Sequence, residues 1–118
     1  MMHGRGHAQK VTNPQRRYLV TQYLPRYAAA RDAGSKGATQ GVFREAAESV
    51  VIKYGAEDPW RNITEVEEQL LEDAVAEGNP PHPLPAEGVP SVIVQDVKKV
   101  LWTERMLALD RHETVGAA

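Results

Sequence analysis

The chain has 118 residues and a formal net charge of −2, which conceals a strong division along its length. Residues 1–44 contain eight Lys or Arg and one acid, whereas residues 45–118 contain six Lys or Arg and fifteen acids. The absence of cysteine excludes disulfide bonds, iron–sulfur clusters and thiol nucleophiles. No apolar run approaches the roughly 18 residues of a membrane span. We therefore expect one globular domain without a membrane partner, located inside the cell in cytoplasm or nucleus.

The beginning of the chain predicts a flexible arm followed by a helix. Residues 1–12 are basic, rich in glycine and without apolar periodicity, which is typical of an unpacked terminus. Asn13 and Pro14 are typical of a helix start, because Asn caps free amides and Pro is tolerated in the first turn. The helical pattern continues to about Asp32. Pro25 lies inside it, so it should kink the helix or end it near Leu24.

A second helix is predicted from about Thr39 to Tyr54, with Gly55 as its natural C-cap. For the third helix, Thr64 and Glu67 have the spacing of a capping box. Its predicted apolar side consists of Ile63, Val66, Leu70, Leu71, Ala74 and Val75. Its predicted solvated acidic side consists of Glu65, Glu67, Glu68, Glu72, Asp73 and Glu77.

The last third of the chain begins with a proline-rich segment. Five prolines within residues 79–90 predict an extended linker. Helical spacing resumes over residues 91–111, and residues 112–118 are expected to fray. The predicted fold is all-α, with a three-helix core over residues 13–78. The fourth helix either completes that core or docks on another chain.

The basic part of the chain predicts a surface that contacts the phosphates of DNA or RNA without reading bases. The candidate contacts are Arg5, Lys10, Arg16, Arg17, Arg26, Arg31 and Lys36. Two other interpretations of this charge remain open. It is a solvated face beside a flexible arm, or it pairs with the acidic third helix of the same or another molecule.

A different function is predicted by the fourth helix. Trp102, Met106 and Leu109 form a second apolar edge beside its main apolar stripe, which indicates an interface. The protein would then be an adaptor or a homo-oligomer subunit that binds a protein partner and no nucleic acid.

Motifs for chemistry are missing from this sequence. Residues 34–41 (GSKGATQG) lack the GxxxxGK[ST] order of a phosphate loop and are better explained as a connection between helices. The histidines show no H-E-x-x-H spacing, and no serine has a G-x-S-x-G context. We therefore predict no catalytic residue, no metal site and no cofactor.

One further pattern runs through residues 15–55. It is carried by Gln15, Arg16, Arg17, Tyr18, Leu19, Tyr23, Leu24, Pro25, Arg26, Tyr27, Ala30, Arg31 and Gly34, then by Val42 to Glu45 and Lys53 to Gly55. These residues resemble an uncharacterised helical segment of many basidiomycete fungal proteins, although Thr39-Gln40-Gly41 stands where that family commonly has a Phe-Trp pair. The resemblance implies a eukaryotic intracellular protein linked to mobile elements or chromatin, and it supplies no catalytic residues.

Overall fold

Four α-helices account for most of the residues that the structure describes. The computed structural model describes residues 13–117, with side chains described for residues 14–110. The helices are α1 (Asn13–Asp32), α2 (Lys36–Tyr54), α3 (Glu65–Ala76) and α4 (Ser91–Ala117). Within this part of the chain there is no strand, so the all-α prediction is confirmed. The predicted arm over residues 1–12 lies outside the described residues.

The core lies between α1, α2 and α4, so it extends beyond the predicted three-helix core of residues 13–78. Leu19, Val50 and Val97 come one from each of these helices and are completely buried. Full burial of such a side chain contributes about 1.5–3 kcal/mol. In contrast, α3 contains no buried residue. The first part of α4 therefore completes the core of its own chain.

Two helices continue past a point where the sequence predicted or allowed an end. α1 continues through Pro25 to Asp32, although Pro25 cannot donate to the carbonyl of Thr21. Pro25 and Thr21 are both exposed, so water can reach that carbonyl, while buried tyrosines on the opposite side keep the helix packed. At the other end of the chain, α4 continues to Ala117 and passes the end predicted near residue 111. Fraying beyond that point stays a prediction.

The ends of α2 are set by two small residues. Ser35 is its N-cap, and the Ser35 hydroxyl accepts a hydrogen bond of 3.1 Å from the amide of Ala38. This cap starts the helix at Lys36, earlier than the predicted start near residue 39. Gly55 is the C-cap, as predicted, with φ of +95°. This conformation favours glycine, and a Cβ at Gly55 would lie 3.3 Å from the His82 ring, which would have to shift slightly to accept it.

The connections between the helices are also held in place by hydrogen bonds. The buried amide of Gln15 donates to the carbonyl oxygens of Pro59 and Arg61, at 3.0 and 2.7 Å. Buried Trp60 donates from Nε1 to Asp96 on α4 at 2.8 Å. In the proline-rich linker, the His82 amide donates to the Ile52 carbonyl of α2. These bonds attach both connections to the three core helices.

Candidate functional site

An open cleft of about 550 Å³ lies where α1 ends, α2 begins and α4 passes. Its lining residues are Tyr27, Arg31, Gly34, Ser35, Lys36, Thr39, Gln40, Phe43, Gln95, Lys98, Lys99 and Trp102. The amino end of α2 opens here, so the positive end of its helix dipole faces the cleft. Size and position make this cleft the strongest candidate for a ligand site in the described part of the chain.

All the charged residues that line the cleft are positive. Four lining residues are cationic, namely Arg31, Lys36, Lys98 and Lys99, and none of the lining residues is acidic. Among the side chains described, these cations take part in no ion pair. The Arg31 guanidinium donates to the Tyr27 hydroxyl at 3.1 Å, which holds it at the edge of the cleft. Such a cluster attracts anions.

Aromatic side chains supply the apolar part of the cleft. Tyr27 and Phe43 are buried and pack against each other with ring centroids 5.2 Å apart. The Lys98 ammonium lies 5.8 Å from the centroid of the Phe43 ring. Trp102 is 49% exposed, so much of its indole is open to a ligand. The cleft thus combines positive charge with one accessible aromatic surface.

The structure divides the predicted phosphate contacts into three groups. Arg31 and Lys36 line the cleft. Arg5 and Lys10 lie outside the described residues. The remaining arginines are paired with carboxylates: Arg16 with Glu104 at 2.8 Å, Arg17 with Glu65 at 2.9 Å, and Arg26 with Glu45. The Arg17 pair joins α1 to the acidic α3, so part of the basic surface pairs with the third helix of the same molecule.

Sequence reasoning missed the contribution of α4 to this site. Lys98 and Lys99 belong to the acidic part of the chain, more than sixty residues from Arg31 and Lys36. A local signal existed, because Lys98 has no acid three or four residues away on its helix. Only the packing of α4 against α1 and α2 places these lysines beside the first two cations.

A second cationic site is buried at the carboxyl end of α2. The Lys53 ammonium donates to Glu68 and Glu72 of α3, at 2.7 and 2.5 Å, and its side chain is 1% exposed. It also lies 4.1 Å from the centroid of the Tyr18 ring. Glu68 accepts a further hydrogen bond of 2.9 Å from the Tyr54 hydroxyl. We call Lys53, Glu68, Glu72, Tyr18 and Tyr54 the Lys53 cluster.

The two phenols of the Lys53 cluster are kept neutral by their surroundings. Burial raises the pKa of Tyr54, and its hydrogen bond to the Glu68 carboxylate raises it further. Burial likewise raises the pKa of Tyr18, which shares a hydrogen bond with Ser49. Both phenols therefore stay protonated well above neutral pH, which suits a structural role.

The Lys53 cluster overturns the predicted orientation of α3. Glu68 and Glu72, expected in water, face Lys53, whereas Val66 and Leu70, expected in the core, are 71% and 65% exposed. Ile63 and Leu71 are only partly buried against the core. The reason is that a buried ammonium requires carboxylate partners more strongly than two aliphatic side chains require burial. The N-cap was predicted correctly, since Thr64 accepts from the Glu67 amide.

The predicted protein interface on α4 is open to solvent. Trp102, Met106 and Leu109 are 49%, 42% and 43% exposed. Among the side chains described, Leu101 is the last fully buried residue of α4, so the helix continues beyond the core. The spacing of four and three residues places these apolar side chains on one face. Trp102 thus borders both this face and the cleft.

The described residues form a small all-α fold with a basic cleft and an internal ion-pair cluster. Comparison with protein-family models, curated proteins and solved structures gives no match. The likeness of residues 15–55 to basidiomycete proteins therefore stays a prediction. None of the described helices combines the length and apolar character needed to cross a bilayer. Within the same residues, no group of three or more His, Asp or Glu side chains is placed to hold a metal ion.

Proposed function

We propose that this protein is a non-enzymatic helical module that binds the phosphate backbone of nucleic acid through the basic cleft. The observation that supports the proposal is the one-sided charge of the cleft, where four cations occur without an acidic lining residue. The cleft cations form no ion pair with the described side chains, so they gain more from a phosphate than cations already paired with carboxylates. The lining also lacks His, Asp and Glu, the residues most used in acid–base catalysis.

The predicted arginines contribute unequally in this proposal. Arg31 and Lys36 are primary contacts together with Lys98 and Lys99. Arg16, Arg17 and Arg26 each have a carboxylate beside them that offsets their charge, so a phosphate gains less there than in the cleft. Arg5 and Lys10 keep the role that the sequence predicted for them, as additional phosphate contacts.

Binding should depend steeply on salt. Each phosphate neutralised on a single strand contributes about −0.7 to the slope of log K against log salt concentration, so four contacts give about −3. Fluorescence anisotropy of a labelled oligonucleotide at several salt concentrations measures this slope. The double variant Lys98→Gln/Lys99→Gln should lower its magnitude by about 1.4.

The matched control for that experiment is Arg17→Gln/Arg26→Gln. It removes the same charge from exposed positions whose guanidinium groups are already paired. Its salt slope should remain close to that of the unchanged protein. Equal losses in both double variants, or no association at low salt, would exclude the cleft as the phosphate site.

A second candidate function is self-association through the exposed face of α4. Its support is the stripe of Trp102, Met106 and Leu109 on a helix that continues past the core. A second copy of the chain would offer the same apolar stripe in an antiparallel helix pair. Size-exclusion chromatography with light scattering tests this, and Met106→Gln/Leu109→Gln should convert a dimer to a monomer. Lys98→Gln/Lys99→Gln should leave the dimer unchanged.

A further inference from the structure

We infer that the cleft holds one unpaired nucleotide, with its phosphate among the cations and its base against Trp102. This inference rests on the proposed function and adds the class of ligand. A phosphate ion alone would interact with the cations but would fill only a small part of the cleft volume. The volume of about 550 Å³ lies within the range of pockets that hold whole small molecules.

The lining presents two chemistries side by side. Cations come from Arg31 and Lys36 on one side and from Lys98 and Lys99 of α4 on the other. Trp102 follows Lys98 and Lys99 by about one helical turn on α4, so indole and ammonium groups reach the same ligand. A ligand that contacts both the cations and the indole needs a negative charge next to a planar ring. A nucleotide has both groups.

Among the aromatic side chains that line the cleft, Trp102 is the one exposed enough for a base to stack on it. Tyr27 and Phe43 are 1% and 3% exposed and form the floor of the cleft, where a base cannot lie flat on them. The indole of Trp102 is 49% exposed and has a free surface. Stacking on an aromatic side chain tolerates every base, because each base has a π-face.

The same geometry distinguishes single strands from duplexes. In a duplex the bases are paired and stacked inside the double helix, so only phosphates reach the lysines. In a single strand an unpaired base can turn into the cleft and cover Trp102. We therefore expect the protein to bind single-stranded nucleic acid more tightly than a duplex with the same number of phosphates.

The test uses the full chain and three probes with the same total number of phosphates, about 24 each. These are oligothymidylate, an abasic strand with the same phosphates, and a duplex. Binding is followed by anisotropy and by quenching of tryptophan fluorescence. Trp102→Leu should weaken oligothymidylate binding about tenfold and leave the abasic strand unchanged. Leu107→Gln, which changes a similarly exposed side chain of the same helix outside the cleft lining, is the matched control and should change neither affinity.

The outcomes separate this inference from the proposed function. Trp102→Leu could weaken the binding of oligothymidylate and of the abasic strand equally, or of neither. If Lys98→Gln/Lys99→Gln weakens the binding of both in that case, base stacking is wrong and phosphate binding stands. If the unchanged protein binds no strand at low salt, both proposals fail.

Competition by thymidine monophosphate identifies a free nucleotide as the ligand, whereas the absence of competition assigns the site to a nucleotide within a strand. Circular dichroism checks the fold of Trp102→Leu, which changes a half-exposed side chain.

Discussion

At its carboxyl end, α2 carries Lys53, which is buried and contacts the carboxylates of Glu68 and Glu72. At its amino end, α2 carries Lys36, which shares a cleft with three further cations and no acidic lining residue. The first arrangement satisfies its charge within the fold, so it contributes to structure. The second leaves its charge for solvent or an external anion. The comparison shows that the partner of a cation, rather than its presence in a basic sequence, decides whether it is available for binding.

The largest effect should follow from removing the buried cation. Lys53→Met leaves Glu68 and Glu72 without their ammonium partner, and breaking a buried pair in this way costs about 3 kcal/mol. Urea unfolding followed by circular dichroism measures the loss. Lys99→Met is the matched control and should change stability by less than about 0.5 kcal/mol, because Lys99 is exposed. Equal midpoints for the two variants would contradict the comparison.

The two carboxylates of the Lys53 cluster should differ in the same assay. Glu68 is 13% exposed and accepts from both Lys53 and Tyr54, so Glu68→Gln should cost about 2 kcal/mol. Glu72 is 46% exposed, and Glu72→Gln should cost less than about 1 kcal/mol because water screens its charge. A larger loss for Glu72→Gln would show that burial does not set the strength of these pairs.

A somewhat smaller effect is expected from Tyr54→Phe, which removes a hydrogen bond to a carboxylate worth about 1.5 kcal/mol. The pKa of Tyr54 is raised in the fold, so the phenol contributes stability that is complete below its unfolded pKa of about 10. That contribution is lost as the pH rises towards the folded pKa. The free energy of unfolding should therefore decline above about pH 10.

Urea unfolding on both sides of that pH measures the decline. It should be shallower in Tyr54→Phe than in Tyr23→Phe, which leaves the Lys53 cluster intact. Identical slopes in the two variants would exclude Tyr54 as a source of the alkaline loss.

The smallest effect concerns the apolar side of α3. Leu70 is 65% exposed, so Leu70→Gln should change the free energy of unfolding by less than about 0.5 kcal/mol. The same substitution at Leu71, which packs against the core, should cost about 1–2 kcal/mol. Urea unfolding of the two leucine variants tests whether pairing with Lys53 sets the orientation of α3. A larger loss at Leu70 would restore the orientation that periodicity predicted.

Much of the local structure was predictable because its causes lie within a few residues. Gly55 and Thr64 were recognised as caps, since a helix end is set by conformation and hydrogen bonds within one turn. Of the two effects predicted for Pro25, the end of α1 near Leu24 was wrong for the opposite reason. Its local tendency to interrupt a helix is outweighed by the packing of α1 against its neighbours.

The candidate site was only half predictable. Arg31 and Lys36 were in the predicted set, and the loop between α1 and α2 keeps them close. Lys98, Lys99 and Trp102 join them through tertiary packing, which periodicity does not report. The Lys53 cluster escaped prediction because an isolated lysine on an apolar face gives no indication of which carboxylates will meet it.

By itself, the sequence determined four helices, most of their ends, and the separation of charge along the chain. Those properties follow from propensity, capping and composition, which act between near neighbours. Tertiary structure alone decided that α4 belongs to the core, that α3 turns its acids towards Lys53, and that four cations meet beside Trp102. These arrangements depend on contacts between residues far apart in the chain, where burial and pairing energies outweigh local preference.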